Sequence, residues 1–329
     1  MLSSLVINNH SGGAKVKTSK NHAKWKKIKK DFKRDWQLHI FMFFPVLYLI
    51  IFDFIPMYGV QIAFRDYRPL HGITGSAWVG LKWFKQFLSN YEFGQIFSNT
   101  VILSLYSLAT FPLAIIFALV LHAMKNEKYT KVVQTISYIP HFISISVMVG
   151  IIQMILSPVS GIYGNIYRLL GGFGYPVDFR ATAEAFRHLY VWSGVWQSLG
   201  WSSIIYIAAL SSVSSELHEA AQIDGASRLK RMWYIDIPAI LPTIAIQFIL
   251  RCTNIISVGF EKAYLLQSPL NESVSEVIST YVYKVGMASF RSFSYGAAVG
   301  LFNTSINLVL LLSVNYGVRK ATDGEISLF

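Results

Sequence analysis

The chain has 329 residues, of which 53% are hydrophobic and only 14% are charged, and its mean hydropathy is +0.43. Soluble domains carry about 25% charged residues, so this composition excludes an ordinary soluble protein and favours an integral membrane protein. The formal net charge is +12, and the one cysteine, Cys252, excludes a disulfide framework or a cysteine-based metal site within one chain.

The N-terminal segment is strongly basic. Residues 15–34 hold a dense run of lysine and arginine, which fits either a nucleic-acid-binding arm or a cytoplasmic flank. We favour the flank, with no nucleic-acid partner, because a hydrophobic span follows at once. Residues 21–37 predict an amphipathic helix in the lipid headgroup region, the alternative being a disordered basic tail. Its apolar side chains recur at helical spacing: Trp25, Ile28, Phe32 and Trp36.

Six hydrophobic segments follow, each near the roughly 20 residues that a bilayer crossing requires. We place them at residues 38–63, 99–124, 132–156, 188–212, 239–260 and 294–317. The sequence therefore predicts an all-α membrane protein in three parts: a basic segment at 1–37, one transmembrane domain at 38–318 and a tail at 319–329. The basic N-terminus is expected in the cytoplasm, and an even number of crossings returns the C-terminus to the same side. The first apolar segment begins too late for a cleavable signal peptide.

The first span and the external segments have features of their own. Pro45, Asp53 and Pro56 fall within the first span, which predicts either a kink or an end near Pro56. Three long segments on the outer side are rich in Gly, Tyr and Phe, and are expected to form short surface helices. They cover residues 64–98, 157–187 and 261–293.

A polar segment at 214–238, SSELHEAAQIDGASRLKRMWYIDIP, separates the fourth and fifth spans on the cytoplasmic side. One of its two leading serines is a suitable N-cap, acidic residues follow in the first turn, and Gly225 is a natural helix terminator. A second short helix is expected at about 227–234, with Pro238 ending it before span five. The predicted product is a compact helix–turn–helix whose alanines allow another surface to approach closely.

The same segment carries a family motif. Glu-Ala-Ala at 219–221, Asp-Gly-Ala at 224–226 and Ile-Asp-Ile-Pro at 235–238 resemble, in residue type and spacing, the EAA coupling loop of ABC-importer permeases. Ile237 stands where leucine is usual, and the alternative is an ordinary cytoplasmic loop. In that family the loop sits in a cleft of the ATPase subunit. The resemblance implies ATPase-coupling roles for Glu219, Ala220, Ala221, Asp224, Gly225, Ala226 and Pro238.

The resemblance extends over nearly the whole chain from about residue 38. Segments such as YGVQIAFRDY (58–67), QTISYIPHFIS (134–144) and AAVGLFNTSINLVLL (297–311) are similar to a branch of sugar-importer permeases. That branch takes up oligosaccharides and polysaccharide fragments of the aldouronate, rhamnogalacturonan and alginate types. The resemblance implies the type I ABC importer permease fold in a bacterial cytoplasmic (inner) membrane. It also implies a second homologous permease subunit, two ABC ATPase subunits and an extracytoplasmic solute-binding protein.

Energy coupling is expected to lie in other subunits. The sequence has no G-x₄-G-K-[ST] motif, hence no P-loop for ATP phosphates. ATP and Mg²⁺ are therefore expected on the partner ATPases, whose closure would drive alternating access. The chain itself is expected to be no enzyme and to hold no cofactor or metal.

Two other functional classes compete with this interpretation. A secondary transporter or channel for sugars needs no ATPase, but it would have no use for such a loop, and paired half-repeats with broken helices are not evident. A membrane-embedded enzyme is the second alternative. Its candidate groups, His141, Asp53 and Cys252, form no recognisable nucleophile–base set.

Polar and aromatic side chains within the spans mark a substrate path, since sugars bind to aromatic faces and hydrogen-bonding groups, and polar groups in a bilayer face inward. The candidates are Trp192, Trp196, Gln197, Trp201, Gln247, Arg251, Asn254 and Asn303. Tryptophans near span ends are also common as interfacial anchors. Asn303 and Asn307 also suit helix–helix contacts. Tyr138 and His141 form a further pair of polar residues, in the third span. For this pair a structural role of the histidine is the favoured interpretation.

Arg251 is the most informative of these residues. A guanidinium at membrane depth needs a carboxylate, carbonyls or water, so it would pair with Asp53, with a partner chain or with a uronic-acid substrate. Arginine suits bidentate recognition of a carboxylate. Together with the basic external loops and the family branch, this gives the hypothesis of an acidic, uronate-containing oligosaccharide.

Overall fold

The structure is a computed structural model, and it describes residues 34–253, 256, 258–288, 292–322 and 324. The chain divides into two compact units, Met1–Gln61 and Ile62–Phe329. The interfacial helix predicted at 21–37 lies outside the described residues, apart from its last few positions.

The first unit is helical over its described part, and none of its side chains there is buried. Its elements are α1 (Trp36–Leu49), a π-helical turn (Ile50–Phe54), α2 (Ile55–Met57) and the start of a 3-10 helix (Tyr58–Phe64). The span does not end near Pro56, because the helical path continues to Phe64. Ile55 donates its N–H to the carbonyl of Ile50, five residues earlier. This wider turn relieves the clash that a proline ring makes with the preceding helical turn.

The second unit confirms the predicted all-α fold class, since it is helical apart from one short hairpin. Its strands pair Arg65 with Trp78 and Asp66 with Ala77, antiparallel. In chain order the elements are β1 (Arg65–Arg68), α3 (Gly72–Gly75), β2 (Ser76–Trp78), α4 (Lys82–Leu88), α5 (Phe93–Ala109), α6 (Phe111–His122), α7 (Glu127–Tyr138), a 3-10 turn (Ile139–Phe142), α8 (Ile145–Ile155), α9 (Ile162–Leu169), α10 (Ala183–Leu210), α11 (Ser215–Ile223), α12 (Arg228–Arg231), a π turn (Met232–Asp236), α13 (Ile237–Cys252), α14 (Phe260–Leu266), α15 (Glu272–Ser275), α16 (Ile278–Tyr283), a π turn (Lys284–Ala288) and α17 (Phe293–Ala321).

Four helical stretches among the described residues are long and apolar enough to cross a membrane. They are Trp36–Phe64, Phe93–His122, Arg228–Cys252 and Phe293–Ala321. The predicted fourth span falls on α10, whose 28 residues are long enough. Its tryptophan, serine and glutamine side chains keep it outside this apolar class, so the count of six spans is not confirmed.

The predicted third span is broken instead of straight. Its two halves, Glu127–Phe142 and Ile145–Ile155, meet at 102°. Ile143 and Ser144 are extended, and the Ser144 hydroxyl accepts a hydrogen bond from the Val147 N–H, which starts the second half. With the broken pair taken as one span, the described residues hold five.

Helix α10 lies at the centre of the second unit, against α6, α7 and α13. One buried apolar cluster joins Ala118 of α6, Tyr206 of α10 and Ile240 of α13. Gly200 permits a close approach of α10 to α7, since a Cβ there would lie 2.3 Å from the Ser137 carbonyl oxygen. The functional groups described below are carried by α10 and the elements packed on it.

Candidate functional site

The 214–238 segment forms two short helices joined by a left-handed turn. Helix α11 starts at Ser214, whose hydroxyl accepts a hydrogen bond from the Glu216 N–H at 3.2 Å. It ends at Gly225, where φ is +77°. The Ala226 N–H donates to the Ala221 carbonyl at 2.9 Å, as in a Schellman turn. The expected helix end at Gly225 is therefore present, and the positive φ explains the glycine.

The second half of the segment does not stop at Pro238. Helix α12, the π turn and α13 form one continuous stretch, Arg228–Cys252. Pro238 lies in the first turn of α13, and the Ile237 N–H donates to the Met232 carbonyl five residues earlier. The prediction that Pro238 ends a helix is wrong because the π turn lets the helix pass through the proline, as at Pro56.

The turn presents a mixed polar and apolar surface. Glu219, Ala220, Asp224 and Pro238 are exposed, whereas Ala221 and Ala226 are half-buried. Large apolar side chains of the same segment are also exposed: Leu217, Ile223, Leu229, Trp233 and Tyr234. Apolar groups this accessible, next to small residues and charges, are typical of a surface that another protein covers.

A polar trough runs along α10. It consists of two adjoining cavities of about 330 and 510 Å³ that share the lining residues Thr110, Val195, Ser198 and Arg251. The lining on α10 extends from Tyr190 to Tyr206, which is about 24 Å at the helical rise of 1.5 Å per residue. Serines of α5 and α10 add hydroxyl groups to the wall.

Two cations line this trough. Arg251, in the last turn of α13, is exposed within it, and Lys262 of α14 is only 7% exposed. The Lys262 ammonium lies 4.5 Å from the centre of the Tyr190 ring. Among the described residues neither cation forms an ion pair with a carboxylate. Lys262 lies outside the spanning helices, and burial lowers its pKa to about 7.

Because Gly194 of α10 has no side chain, it leaves room for the Lys262 side chain. A Cβ at this position would lie 2.9 Å from the Lys262 nitrogen. Sequence reasoning missed this lysine because it assigned residues 261–293 to an external segment. A signal in the sequence that could have pointed to a buried Lys262 is that four apolar residues, AYLL, follow it directly.

The predicted path residues divide between two faces of α10. Gln197 and Trp201 line the trough, together with Gln247 and Arg251 of α13. The other two tryptophans of the set line a separate, apolar cavity of about 780 Å³: Trp192 and Trp196. The structure therefore does not bring the whole predicted set together, because residues 192 and 197 are five positions apart on a helix that repeats every 3.6.

Several of these side chains are held by neighbours. The Gln197 side-chain amide donates to the Ile143 carbonyl at 2.7 Å, which braces the break between the halves of the third span. The Trp192 indole N–H donates to the Tyr106 hydroxyl at 2.9 Å. His141 lies parallel to Trp201, with ring centres 4.4 Å apart.

The predicted asparagines that the structure describes, Asn303 and Asn307, do not line the trough. Asn254 is outside the described residues. Asn303 of α17 is half-buried and lines neither cavity of the trough. Asn307 accepts a hydrogen bond from the Ile256 N–H at 3.1 Å, which is a helix-tethering contact of the kind anticipated for this pair.

Comparison with known proteins identifies the family. Residues 110–321 match the family described as binding-protein-dependent transport system inner membrane component. The chain is 38% identical over 289 residues to Protein LplB of Bacillus subtilis (strain 168), covering 88% of this chain and 90% of that protein. It is 39% identical over 275 residues to the polygalacturonan/rhamnogalacturonan transport system permease protein YteP of the same organism, covering 83% and 85%.

A solved structure gives the same assignment. The chain superimposes on a chain of a bacterial ABC transporter involved in the import of the acidic polysaccharide alginate, with a TM-score of 0.81 and 36% identity. The match covers 89% of this chain and 99% of that chain. The predicted family is confirmed, and a secondary transporter or membrane enzyme is no longer in contention. The chain belongs to the binding-protein-dependent transport system inner membrane components, and it is a permease subunit of an ABC importer.

Proposed function

We propose that this permease subunit imports acidic oligosaccharides, and that the trough along α10 is its share of the translocation path. The observation that carries the proposal is the pair of cations, Arg251 and Lys262, lining one polar trough without a carboxylate partner among the described residues. A cation is costly when it is buried, as Lys262 is, or lies within a spanning helix, as Arg251 does, unless it serves a ligand or pathway. A uronate-bearing chain supplies the missing negative charge.

The chemistry of the trough suits a sugar acid. A guanidinium recognises a carboxylate through two parallel hydrogen bonds, whereas an ammonium acts as a compact point charge. Ser104, Ser107 and Ser198 offer partners for sugar hydroxyls. Trp201 offers an aromatic face that is 45% exposed.

The relatives point in the same direction. YteP is named for polygalacturonan and rhamnogalacturonan, and the similar solved transporter for the acidic polysaccharide alginate. Galacturonate, like alginate, carries carboxylates. A neutral oligosaccharide is the second candidate, favoured by the apolar cavity beside Trp192 and Trp196, whose faces suit uncharged sugar rings.

We further infer that the 214–238 segment is the coupling loop. Its exposed Glu219, Ala220 and Asp224, with Ile223 at 87% exposure, fit a cleft on an ATPase subunit. Ala221, Gly225, Ala226 and Pro238 shape the helix and turn behind that surface. ATP and Mg²⁺ would bind to two such subunits, and a second permease and a solute-binding protein would complete the importer. Both termini would then lie in the cytoplasm.

The test is substrate-stimulated ATPase activity of the assembled transporter in proteoliposomes, with its binding protein. Uronate oligosaccharides should stimulate the wild type more strongly than neutral glucans of equal length. Arg251→Met and Lys262→Met should reduce that preference, whereas Lys85→Met, at an exposed position in α4, should not. Equal stimulation by neutral glucans would assign the trough to uncharged sugars and refute the proposal.

A further inference from the structure

Two histidines and an aspartate meet in the second unit where α6, α11 and the start of α13 come together. His122 is the last residue of α6, His218 lies in α11 and Asp236 closes the π turn before α13. One ligand atom from each lies within 4.8 Å of the others. The sequence gives no hint of this cluster, since its members are 96 and 18 residues apart by subtraction of their numbers.

The cluster has unmet bonding capacity. Asp236 is 6% exposed, and its Oδ1 lies 3.1 Å from His218 Nε2. This contact lacks the geometry of a hydrogen bond, and neither atom has a hydrogen-bond partner among the described residues. The nearby Arg231 directs its Nη1 to the His218 carbonyl and the Gln222 side chain instead. A buried carboxylate in this state is stabilised by a nearby cation, and a bound metal ion would supply one.

We propose that His122, His218 and Asp236 form a binding site for a divalent transition-metal ion of the zinc type. Two imidazole nitrogens and a carboxylate oxygen are ligands that zinc accepts, and calcium and magnesium prefer all-oxygen sites. Three protein ligands leave a fourth position for water, which the exposed edge at His122 admits.

The geometry needs a small adjustment. Bonds of about 2.0–2.1 Å in a tetrahedron separate ligand atoms by about 3.4 Å. The His218–Asp236 pair already lies at 3.1 Å. The His122 nitrogen lies within 4.8 Å of the other two ligand atoms, so it has to move inward by at most about 1.4 Å to reach that separation. Because the His122 side chain is exposed, it can rotate with little loss of packing.

A bound ion would add a further link between three elements: the end of α6, the helix α11 and the start of α13. Zinc would thereby hold α11 against the membrane helices. This is a regulatory property that goes beyond the proposed substrate and coupling roles, and it holds whether or not the substrate is acidic.

The experiment is zinc titration by calorimetry on the assembled transporter, purified with a tag that contains no histidine. The wild type should bind one more zinc ion per copy of this chain than His122→Ala or Asp236→Asn, or bind that ion at least about tenfold more tightly. His71→Ala, in the external hairpin, should match the wild type and so control for a lost histidine.

A second readout covers the case in which Asp236→Asn does not assemble. Zinc should raise the unfolding temperature of the wild type and of His71→Ala, but not of His122→Ala, whose exposed side chain is dispensable for folding. Identical zinc affinity and identical thermal shifts in wild type and His122→Ala would overturn the proposal. That result would leave His218 and Asp236 as a simple ion pair.

Discussion

The Lys262 ammonium occupies the place where a side chain at Gly194 would begin, 2.9 Å from the position of its Cβ. The lysine therefore reaches the trough only because α10 has a glycine at this level. Since the nitrogen sits at the end of a flexible chain, an added methyl group displaces the charge without breaking the helix. Alanine also has a higher helix propensity than glycine.

Gly194→Ala is accordingly expected to weaken the response to acidic oligosaccharides while leaving the fold intact. Losing one charge-assisted hydrogen bond corresponds to about 1.5–3 kcal/mol, or roughly 10- to 150-fold in apparent affinity. The measurement is the uronate concentration that gives half-maximal ATPase stimulation. Gly150→Ala is the matched control, since a Cβ there meets nothing within 4 Å. If this concentration is the same for Gly194→Ala and the wild type, Lys262 does not contribute to substrate binding.

The proposed uptake of acidic substrates should depend on pH through Lys262. Burial lowers the pKa of this lysine to about 7, so it is mostly protonated near pH 6 and mostly neutral near pH 8. Uronates stay ionised over this range, and their attraction to the site therefore weakens as pH rises. Apparent affinity should fall several-fold between these values, on the order of the contribution of one ion pair.

Lys262→Arg provides the control for this pH dependence, because its guanidinium stays charged throughout the range. The ratio of wild-type to variant affinity cancels the pH response of the ATPase subunits. We expect that ratio to decline from pH 6 to pH 8. If the ratio of the two affinities does not change with pH, Lys262 keeps one charge state between pH 6 and pH 8.

Coupling should fail when the turn at Gly225 is altered. Proline fixes φ near −65°, whereas this residue has φ of +77°. Gly225→Pro should abolish ATP-driven uptake, yet leave expression and membrane insertion near wild-type levels, because a Cβ at this position meets nothing within 4 Å. Uptake is measured with labelled oligosaccharide in cells.

Gly171→Pro makes a matched comparison. That glycine also has a positive φ, +86°, but it follows α9, in a segment predicted to be external. Its substitution imposes similar backbone strain away from the 214–238 segment, and uptake should be largely retained. Comparable loss in both variants, or full uptake by Gly225→Pro, would contradict a coupling role for the turn.

Stability should respond most sharply at Gly200. A Cβ there would lie 2.3 Å from the Ser137 carbonyl oxygen, and backbone cannot move aside as a side-chain tip can. Gly200→Ala should lower the free energy of unfolding by about 1–3 kcal/mol, as overpacking does. Thermal unfolding in detergent measures this, with Gly300→Ala as a control in open space. Equal unfolding temperatures would mean that α10 and α7 can separate freely.

Much of this architecture could be predicted from local chemistry. Ser214, Gly225 and the alanines between them determine a short capped helix and its end, and the apolar runs mark the spans. The helix end predicted at Pro238 is wrong, and of the kink or end predicted near Pro56 the end is excluded. Both prolines follow π turns that accommodate a proline within a continuous helix. Hydrophobic periodicity and the positions of prolines do not indicate a π turn, in which the backbone hydrogen bond spans five residues instead of four.

The site was harder to predict than the helices. Helical spacing correctly placed Gln247 and Arg251 on one face of α13, but the candidates on α10 lie on two faces. Lys262 and the His122–His218–Asp236 cluster depend on how separate elements pack. That information lies in tertiary contacts between distant residues and not in any one segment.

The continuity of Arg228–Cys252 has a mechanical consequence. With no break along its 25 residues, the stretch connects Arg228 to Arg251 over about 35 Å of helix. If the 214–238 segment is the coupling loop, as proposed above, a movement at the Arg228 end would reach the Arg251 guanidinium in the trough along the helix itself. Under that proposal, the moving loop and the contact with substrate charge would act on one continuous piece of backbone, without a relay through intervening side chains.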